Sequence, residues 1–356
     1  MSSAARRLDF SSCEVWYVKV IITGGAGFIG CNAADRYMRR GDDVVVVDDL
    51  SRRGANRNLE WLRTRGRFTF EQADIRDAQA MTRIFGANRD AGLVLHLAGQ
   101  VAVTISVTDP RYDFDVNALG TFNVLEAIRL AEIQAPLIYA STNKVYGGME
   151  DLGVVERDGR YAYAALPEGV SEERILDFHS PYGCSKGSAD QYVRDYHRIY
   201  GVRGVVFRQS CIYGYRQFGF EDQGWIAWFT IASQLGRPIT VYGDGKQVRD
   251  ILFVDDLVDA YDAAAGRIDA TAGQIYNVGG GPSNVISLLD LLAHLERRRG
   301  EPLRYTTSGW RPGDQRVFVS DISKAQKDLG WRPRTSWQHG LDELYEWVAA
   351  NPGIFE

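Results

Sequence analysis

A short β-branched run, Val18–Ile22, leads directly into Thr23-Gly24-Gly25-Ala26-Gly27-Phe28-Ile29-Gly30, and this junction constrains the fold more than any other stretch of the chain. The backbone there has to turn off a strand, let a diphosphate approach closely, and pack a helix tightly on a sheet. Glycines at 24, 27 and 30 permit each of these because they carry no Cβ. The helix that follows aims its free amides at the phosphates. Gly24, Gly27, Phe28 and Ile29 are therefore expected to line a dinucleotide site.

The pattern downstream fits the same architecture. Further strand-like runs occur at Val44–Val47, Phe68–Phe70, Leu93–Leu97, Leu137–Ala140 and Gly204–Phe207, with helical spacings such as Phe122, Leu125 and Ile128 between them. Apolar strands alternating with helices predict an α/β fold, a Rossmann-type doubly wound parallel sheet with right-handed crossovers. After Phe207 the rhythm loosens: aromatics and glycines fill Tyr213–Trp228, a strand is expected at Gln274–Val278, and helices near Leu288–Arg298 and Leu341–Val348. The expected division is an extension at 1–17, a dinucleotide-binding domain at 18–206, and a mainly substrate-binding, smaller mixed α/β lobe at 207–356, interleaved with the first and sharing one cleft with it.

Two strand ends carry acids placed for a dinucleotide. Val44–Val47 ends in Asp48, about 20 residues beyond the glycines, where a carboxylate binds the adenosine ribose hydroxyls. An acid there repels a 2′-phosphate and favours NAD over NADP, although Arg52 and Arg53 follow closely. Asp49, Leu50, Ser51 and Arg52 continue the same turn. Asp74 and Ile75 follow the third strand, placed to meet adenine. Leu97, Ala98, Gly99 and Gln100 end the fourth, beside the expected pyrophosphate and nicotinamide.

Ser180 is a good N-cap and Pro181 suits a first helical position, so Tyr182 and Lys186 fall four apart on one helix face. A free phenol, with a pKa of about 10, is a poor base at neutral pH. A neighbouring ammonium and the helix N-terminus favour phenolate, which can take a proton from a sugar hydroxyl. Thr142, at the end of the hydroxyl-rich run Tyr139–Gly147, can hydrogen-bond the reacting oxygen; Ser141 is the alternative for that role. His96 reads as a core histidine, Cys184 as a packing residue, and the Trp225/Trp228 pair as core.

Net charge is −5 (41 basic against 46 acidic residues), which offers no overall basic field to nucleic acid or an anionic membrane. Cys13, Cys31, Cys184 and Cys211 form no C-x-x-C pair and no zinc spacing, so no metal site is expected and a reducing, cytoplasmic compartment fits. No apolar run has membrane length, and residues 1–17 lack the apolar stretch of a signal peptide.

Taken together, the glycine string, Asp48, Asp74, Asn117-x-x-Gly-Thr121, Thr142 and Tyr182-x-x-x-Lys186 resemble, in order and spacing, the extended short-chain dehydrogenase/reductase superfamily and its NAD-dependent epimerases and dehydratases. The likeness runs from about Val18 to Trp347. It implies a catalytic triad of Thr142, Tyr182 and Lys186, tightly bound NAD regenerated at each turnover, Asn117 at the cofactor, a nucleotide-diphosphate sugar as substrate, and a homodimer or homotetramer. Dehydratases of this kind carry Asp-Glu after the threonine, and the sugar-acid decarboxylases keep the glutamate. Here those positions are Asn143 and Lys144, which cannot perform that acid/base work. The strings at 49–54, 96–100, 141–147, 179–187, 243–250 and 314–319 look closer to the CDP-tyvelose (CDP-paratose) 2-epimerases. That likeness implies transient oxidation at C2 and hydride return to the opposite face. Substrate contacts are expected from Gln100, Thr142, Asn143, His179 and Cys211, with Arg249 and Arg311 on the diphosphate and Arg216, near the 222–225 loop, as a further cation. The competing readings are a C4 epimerase of an NDP-sugar or NDP-heptose, an NDP-sugar oxidoreductase or decarboxylase, and an NAD-sensing binding protein.

Overall fold

The computed structural model describes residues 17–221, 223–311 and 314–355. The expected N-terminal extension lies outside these residues except for Tyr17, as does Asp222. Seven parallel strands form the main sheet: β1 (Lys19–Thr23), β2 (Asp43–Asp48), β3 (Thr69–Gln72), β4 (Leu93–His96), β5 (Leu137–Thr142), β6 (Gly204–Gln209) and β7 (Ile275–Val278), in the order β7-β6-β5-β4-β1-β2-β3.

Successive side chains of a strand point to opposite faces, and here both faces are dry. Val20, Ile22, Val44, Val46 and Leu95 pack with Cys31, Ala34 and Tyr37 on one side. Ile21, Val45, Val47 and Val94 pack with Met81, Phe85, Val124 and Leu125 on the other. This two-sided burial is why the strands read as continuous apolar runs rather than alternating ones. Each fully buried Val or Ile contributes roughly 1.5–3 kcal/mol. The expected helical stripe at 122–128 is the Gly120–Leu130 helix, but Phe122 faces outward while Leu125 and Ile128 are buried.

The strand expected at Gln274–Val278 is β7, hydrogen-bonded to β6 in the main sheet, so the chain returns to the first sheet after visiting the second lobe. The Val254–Gly266 helix returns with it, and Leu257, Val258 and Tyr261 join the same apolar cluster as β1. The smaller lobe has its own core of Tyr213, Ile226, Phe229, Ile251, Phe253, Leu291 and Leu344. Its central strand, Val248–Phe253, pairs with Cys211–Tyr213, Val285–Ser287 and Val317–Phe318. The helices expected there run Leu288–Arg299, opened by a Ser287/Asp290 capping box, and Trp337–Ala350. Because all main-sheet strands are parallel, Thr23, Asp48, His96, Thr142 and Gln209 end on one edge, the edge that faces the smaller lobe's loops.

Candidate active site

Two confluent cavities occupy that edge. The first, about 390 Å³, is lined by Gly24, Gly27, Phe28, Ile29, Asp48, Asp49, Ser51, Arg52, Asp74, Ile75, Leu97, Ala98 and Gly99. Gly24 adopts φ 70°, and a Cβ there would sit 2.6 Å from the Ala98 amide nitrogen. A Cβ on Gly30 would sit 2.1 Å from the Gly24 carbonyl oxygen, so this glycine is what lets the Phe28–Arg40 helix seat against the turn. Asp48 is fixed at the rim: its carboxylate accepts hydrogen bonds from the Ala26 amide at 3.0 Å and the Leu50 amide at 2.8 Å. Leu50, held at φ 62° by that contact, does not line the cavity itself. The glycine turn, the helix N-terminus behind it and the ribose-facing acid make a cradle that fits a dinucleotide.

The second cavity, about 420 Å³, continues from the first across Phe28, Ile29, Leu97 and Gly99 and is floored by Thr142, Tyr182 and Lys186. The Pro181–Tyr200 helix starts as expected: the Ser180 hydroxyl accepts from the Gly183 amide at 3.1 Å, with Pro181 in the first turn. Thr142 and Tyr182 line the same cavity. Burial pushes Tyr182 up to about 12, against the nearby Thr142 hydroxyl and the positive charge of Arg52, while Asp113 adds to the rise. The expected lowering by Lys186 is not what this geometry delivers. Lys186 donates to the Ala140 carbonyl at 2.5 Å and lies 4.4 Å over the Tyr139 ring. Burial draws it down to about 7, opposed by Asp113 and Asp190.

Asn143, Cys211, Arg249 and Arg311 also line the second cavity. Arg249 donates to Asp314 at 2.7 Å, and Arg311 stacks 3.8 Å over Tyr242. Lys144, left open by sequence reasoning, lines the cavity too. It donates to Gln315 at 3.2 Å, and desolvation, with Arg249 nearby, pushes it down to about 8. Trp225, expected in the core, forms part of the cavity wall. Glu221 and Gln247 are wall residues that local pattern did not single out.

Four residues expected to meet ligand are placed differently in this structure. Gln100 lies at the edge of the first cavity only, and its amide is spent: it donates to Ala102 O at 2.9 Å and Asp113 at 2.7 Å and accepts from the Ala102 amide. Asn117 lines neither cavity; it braces Gln100 and Ser185 from behind Gly99. His179 is turned outward onto Asp177 at 2.9 Å. Arg216, at φ 67°, lies on the dinucleotide side over Trp61 at 4.2 Å, away from the sugar cavity. His96 is a core residue, bridging Thr23 and Thr121 at 2.7 and 2.9 Å, and Cys184 is exposed rather than packed.

This is the layout of a dinucleotide-dependent enzyme of the extended short-chain dehydrogenase/reductase type. The chain belongs to the NAD dependent epimerase/dehydratase family, whose model matches residues 20–279, and its cofactor is NAD. It is 44% identical to a CDP-paratose 2-epimerase of Salmonella typhi over 94% of this chain and 100% of that protein. Among solved structures, it resembles the UDP-glucose 4-epimerase of Thermotoga maritima with UDP-glucose (TM-score 0.80, 31% identity, 94% and 99% of the two chains). It also resembles a dTDP-glucose 4,6-dehydratase of Streptomyces venezuelae with NAD bound (TM-score 0.80, 26% identity, 95% and 99%).

Proposed function

We propose that the chain is an NAD-dependent epimerase that inverts C2 of a CDP-sugar of the paratose/tyvelose type, with no net redox change. The observation that carries this reading is the convergence of Thr142, Tyr182 and Lys186 on a sugar-sized cavity in which Thr142 is followed by an amide and an ammonium, Asn143 and Lys144. Among the described residues, the carboxylates that line the cavity are engaged, Asp314 by Arg249 at 2.7 Å and Glu221 by the Tyr242 hydroxyl at 3.0 Å. An elimination needs a free acid/base pair beside the sugar; an inversion needs only one proton acceptor. The 44% identity to a CDP-paratose 2-epimerase supports the choice of position and nucleotide.

The glycine turn and Asp48 would hold NAD, which would supply the hydride acceptor and donor for the substrate carbon. The remaining chemistry belongs to the chain. Tyr182 takes the hydroxyl proton of that carbon and gives it back, and Thr142 holds the same oxygen. Lys186 sets the charge beneath them, and Arg249 and Arg311 neutralise the diphosphate. Burial holds Tyr182 up to about 12, and the positive charge of Arg52 opposes that rise. The reading is tested with a substrate deuterated at C2. Retention of the label at C2 of an inverted product, without NADH accumulating, is the expected result. Label lost to water, or inversion at C4, would overturn it.

The expected homo-oligomer finds support on one face of the molecule. Phe122 and Leu130 on one helix and Tyr192, Ile199 and Tyr200 on the Pro181–Tyr200 helix are exposed, and Phe122 meets Tyr192 edge-on at 5.9 Å; exposed apolar side chains gathered on two helices suit a partner surface. Pairing these two helices with those of a second copy gives a homodimer; light scattering at micromolar concentration should show twice the chain mass, and a monomer would refute it. No described helix is long and apolar enough to cross a membrane. The described cysteines are free, which supports the reducing, cytoplasmic location expected from sequence.

A further inference from the structure

Directly behind the Tyr182–Lys186 pair sits a carboxylate that neither sequence pattern nor the reaction scheme above uses. Asp113 belongs to the short Pro110–Phe114 helix and has no exposed surface. The chain then makes a π-helical turn at Asp115–Leu119 before continuing as the Gly120–Leu130 helix, a distortion that often marks functional sites. Through that turn Asp113 and Asn117 both point inward. Asp113 accepts hydrogen bonds from Ser185 at 2.5 Å, Gln100 at 2.7 Å and Asn117 at 3.1 Å. Ser185 immediately precedes Lys186. A Cβ on Gly99 would lie 3.0 Å from Asn117 Oδ1 and 3.7 Å from Lys186 Nζ, so the Asn117 brace and the lysine head flank the same glycine.

All three partners of Asp113 are neutral; burial raises its carboxyl above the usual carboxylate range, and hydrogen bonds from Ser185 and Gln100, the charge of Lys186 and the Asn117 hydrogen bond draw it back toward the ionised form. A buried charge with only neutral partners calls for a counter-ion. The groups around Lys186 narrow the pairing. From β4 comes His96, held neutral by burial, which draws it down to about 3. From β5 come the Tyr139 ring and the Ala140 carbonyl. Its own helix supplies Tyr182 and Asp190, and Arg208 of β6 already grips Asp190 with contacts of 2.9 and 3.1 Å. Arg52 acts on Tyr182 from the loop after β2. Asp190 is thus matched by a guanidinium, and Asp113, among the described residues, by none.

We propose that Asp113 is the buried counter-charge of Lys186, a positioning residue that holds the lysine as an ammonium beneath the reacting site. The inference rests on the reading of Tyr182 and Lys186 as the reacting pair, but its consequence is a property of the protein itself. Desolvation alone would strip the proton from Lys186 as pH rises toward neutrality; a carboxylate nearby delays that loss. Asp113 and Asp190 are the two groups that oppose the fall of Lys186 to about 7. Removing Asp113 should therefore lower the pH at which Lys186 deprotonates and pull down the alkaline limb of the rate profile with it.

The test is a proton titration of the intact, NAD-loaded protein labelled with 13C at lysine Cε. The chain has six lysines, so the spectrum is simple, and the Lys186 resonance is assigned by its loss in Lys186→Met. In Asp113→Asn, and in Asp113→Ser, which leaves room for a water, the Lys186 midpoint should fall by about one pH unit or more. Ser185→Ala removes a hydrogen bond but leaves the carboxylate, and should keep the midpoint within a few tenths of wild type. Folded Asp113 variants with an unchanged midpoint would overturn the proposal. So would failure of both to fold, which would make Asp113 a purely structural residue. Because the titration needs no turnover, its outcome is independent of whether the protein epimerises the sugar proposed above.

Discussion

Replacing Tyr182 with phenylalanine should reduce kcat by about a hundred- to ten-thousand-fold, the usual worth of a positioned general base, while the protein keeps its fold and its NAD. The ring is buried and stays; only the hydroxyl is removed. The loss should appear in kcat with little change in KM, since a phenol oxygen that acts on the proton in flight contributes little to holding the diphosphate. The check is steady-state kinetics together with the NAD content of the purified variant. Activity within a few-fold of wild type would remove Tyr182 from the mechanism and, with it, the enzymatic reading of this site.

The second large effect is expected at the cofactor turn. Gly24→Ala forces a side chain into a left-handed backbone at φ 70°, a cost of about 1–2 kcal/mol, and sets its Cβ 2.6 Å from the backbone nitrogen of Ala98. Backbone cannot move aside as a flexible side chain can. The β1 turn and the end of β4, which together form the wall of the dinucleotide cavity, must therefore separate. The variant should purify with most of its NAD missing, measured after acid release. Gly300→Ala supplies the comparison: it carries the same kind of strain, at φ 76°, with nothing within 4 Å of the new Cβ. It should keep its NAD. Equal NAD content in wild type and Gly24→Ala would show that the close approach of these two loops does not govern cofactor binding.

What sequence reading reached and what it missed divide along a physical line. Strand runs and the glycine turn are local: composition over five or six residues is enough to specify a strand buried on both faces, and glycine positions report steric demands at the turn itself. Tyr182 and Lys186 were legible for the same reason, because a capped helix start fixes their common face. Direction across the tertiary structure was not legible. Gln100 and Asn117 sit one strand-end and one helix from the cofactor, where pattern places them, but both turn inward to satisfy Asp113. His179 precedes the right helix and points the other way, onto Asp177. Asp113 itself lies among Asp109 and Asp115, and three acids in seven residues read as a solvated face; only the π-helical turn takes one of them out of water. β7 was recognised as a strand, yet its place in the main sheet depends on pairing with β6, some 70 residues earlier, which no local window contains.

Arg216 and Lys144 mark the same limit in the substrate lobe. Both are cations in loop-rich stretches, and sequence gives no means of ranking them. In the folded chain Arg216 stacks over Trp61, whereas Lys144, directly after Asn143, opens into the sugar cavity. A cation's role there is set by which wall of the cleft its loop forms.

The central claim is tested most directly by incubating the purified protein with CDP-paratose, with no NAD added, and following the sugar by proton NMR. Conversion to a species differing only at C2 is expected until the two epimers reach equilibrium, with no rise in NADH absorbance. A sugar left unchanged after NAD is supplied, or a product inverted at C4 or lacking the elements of water, would contradict it.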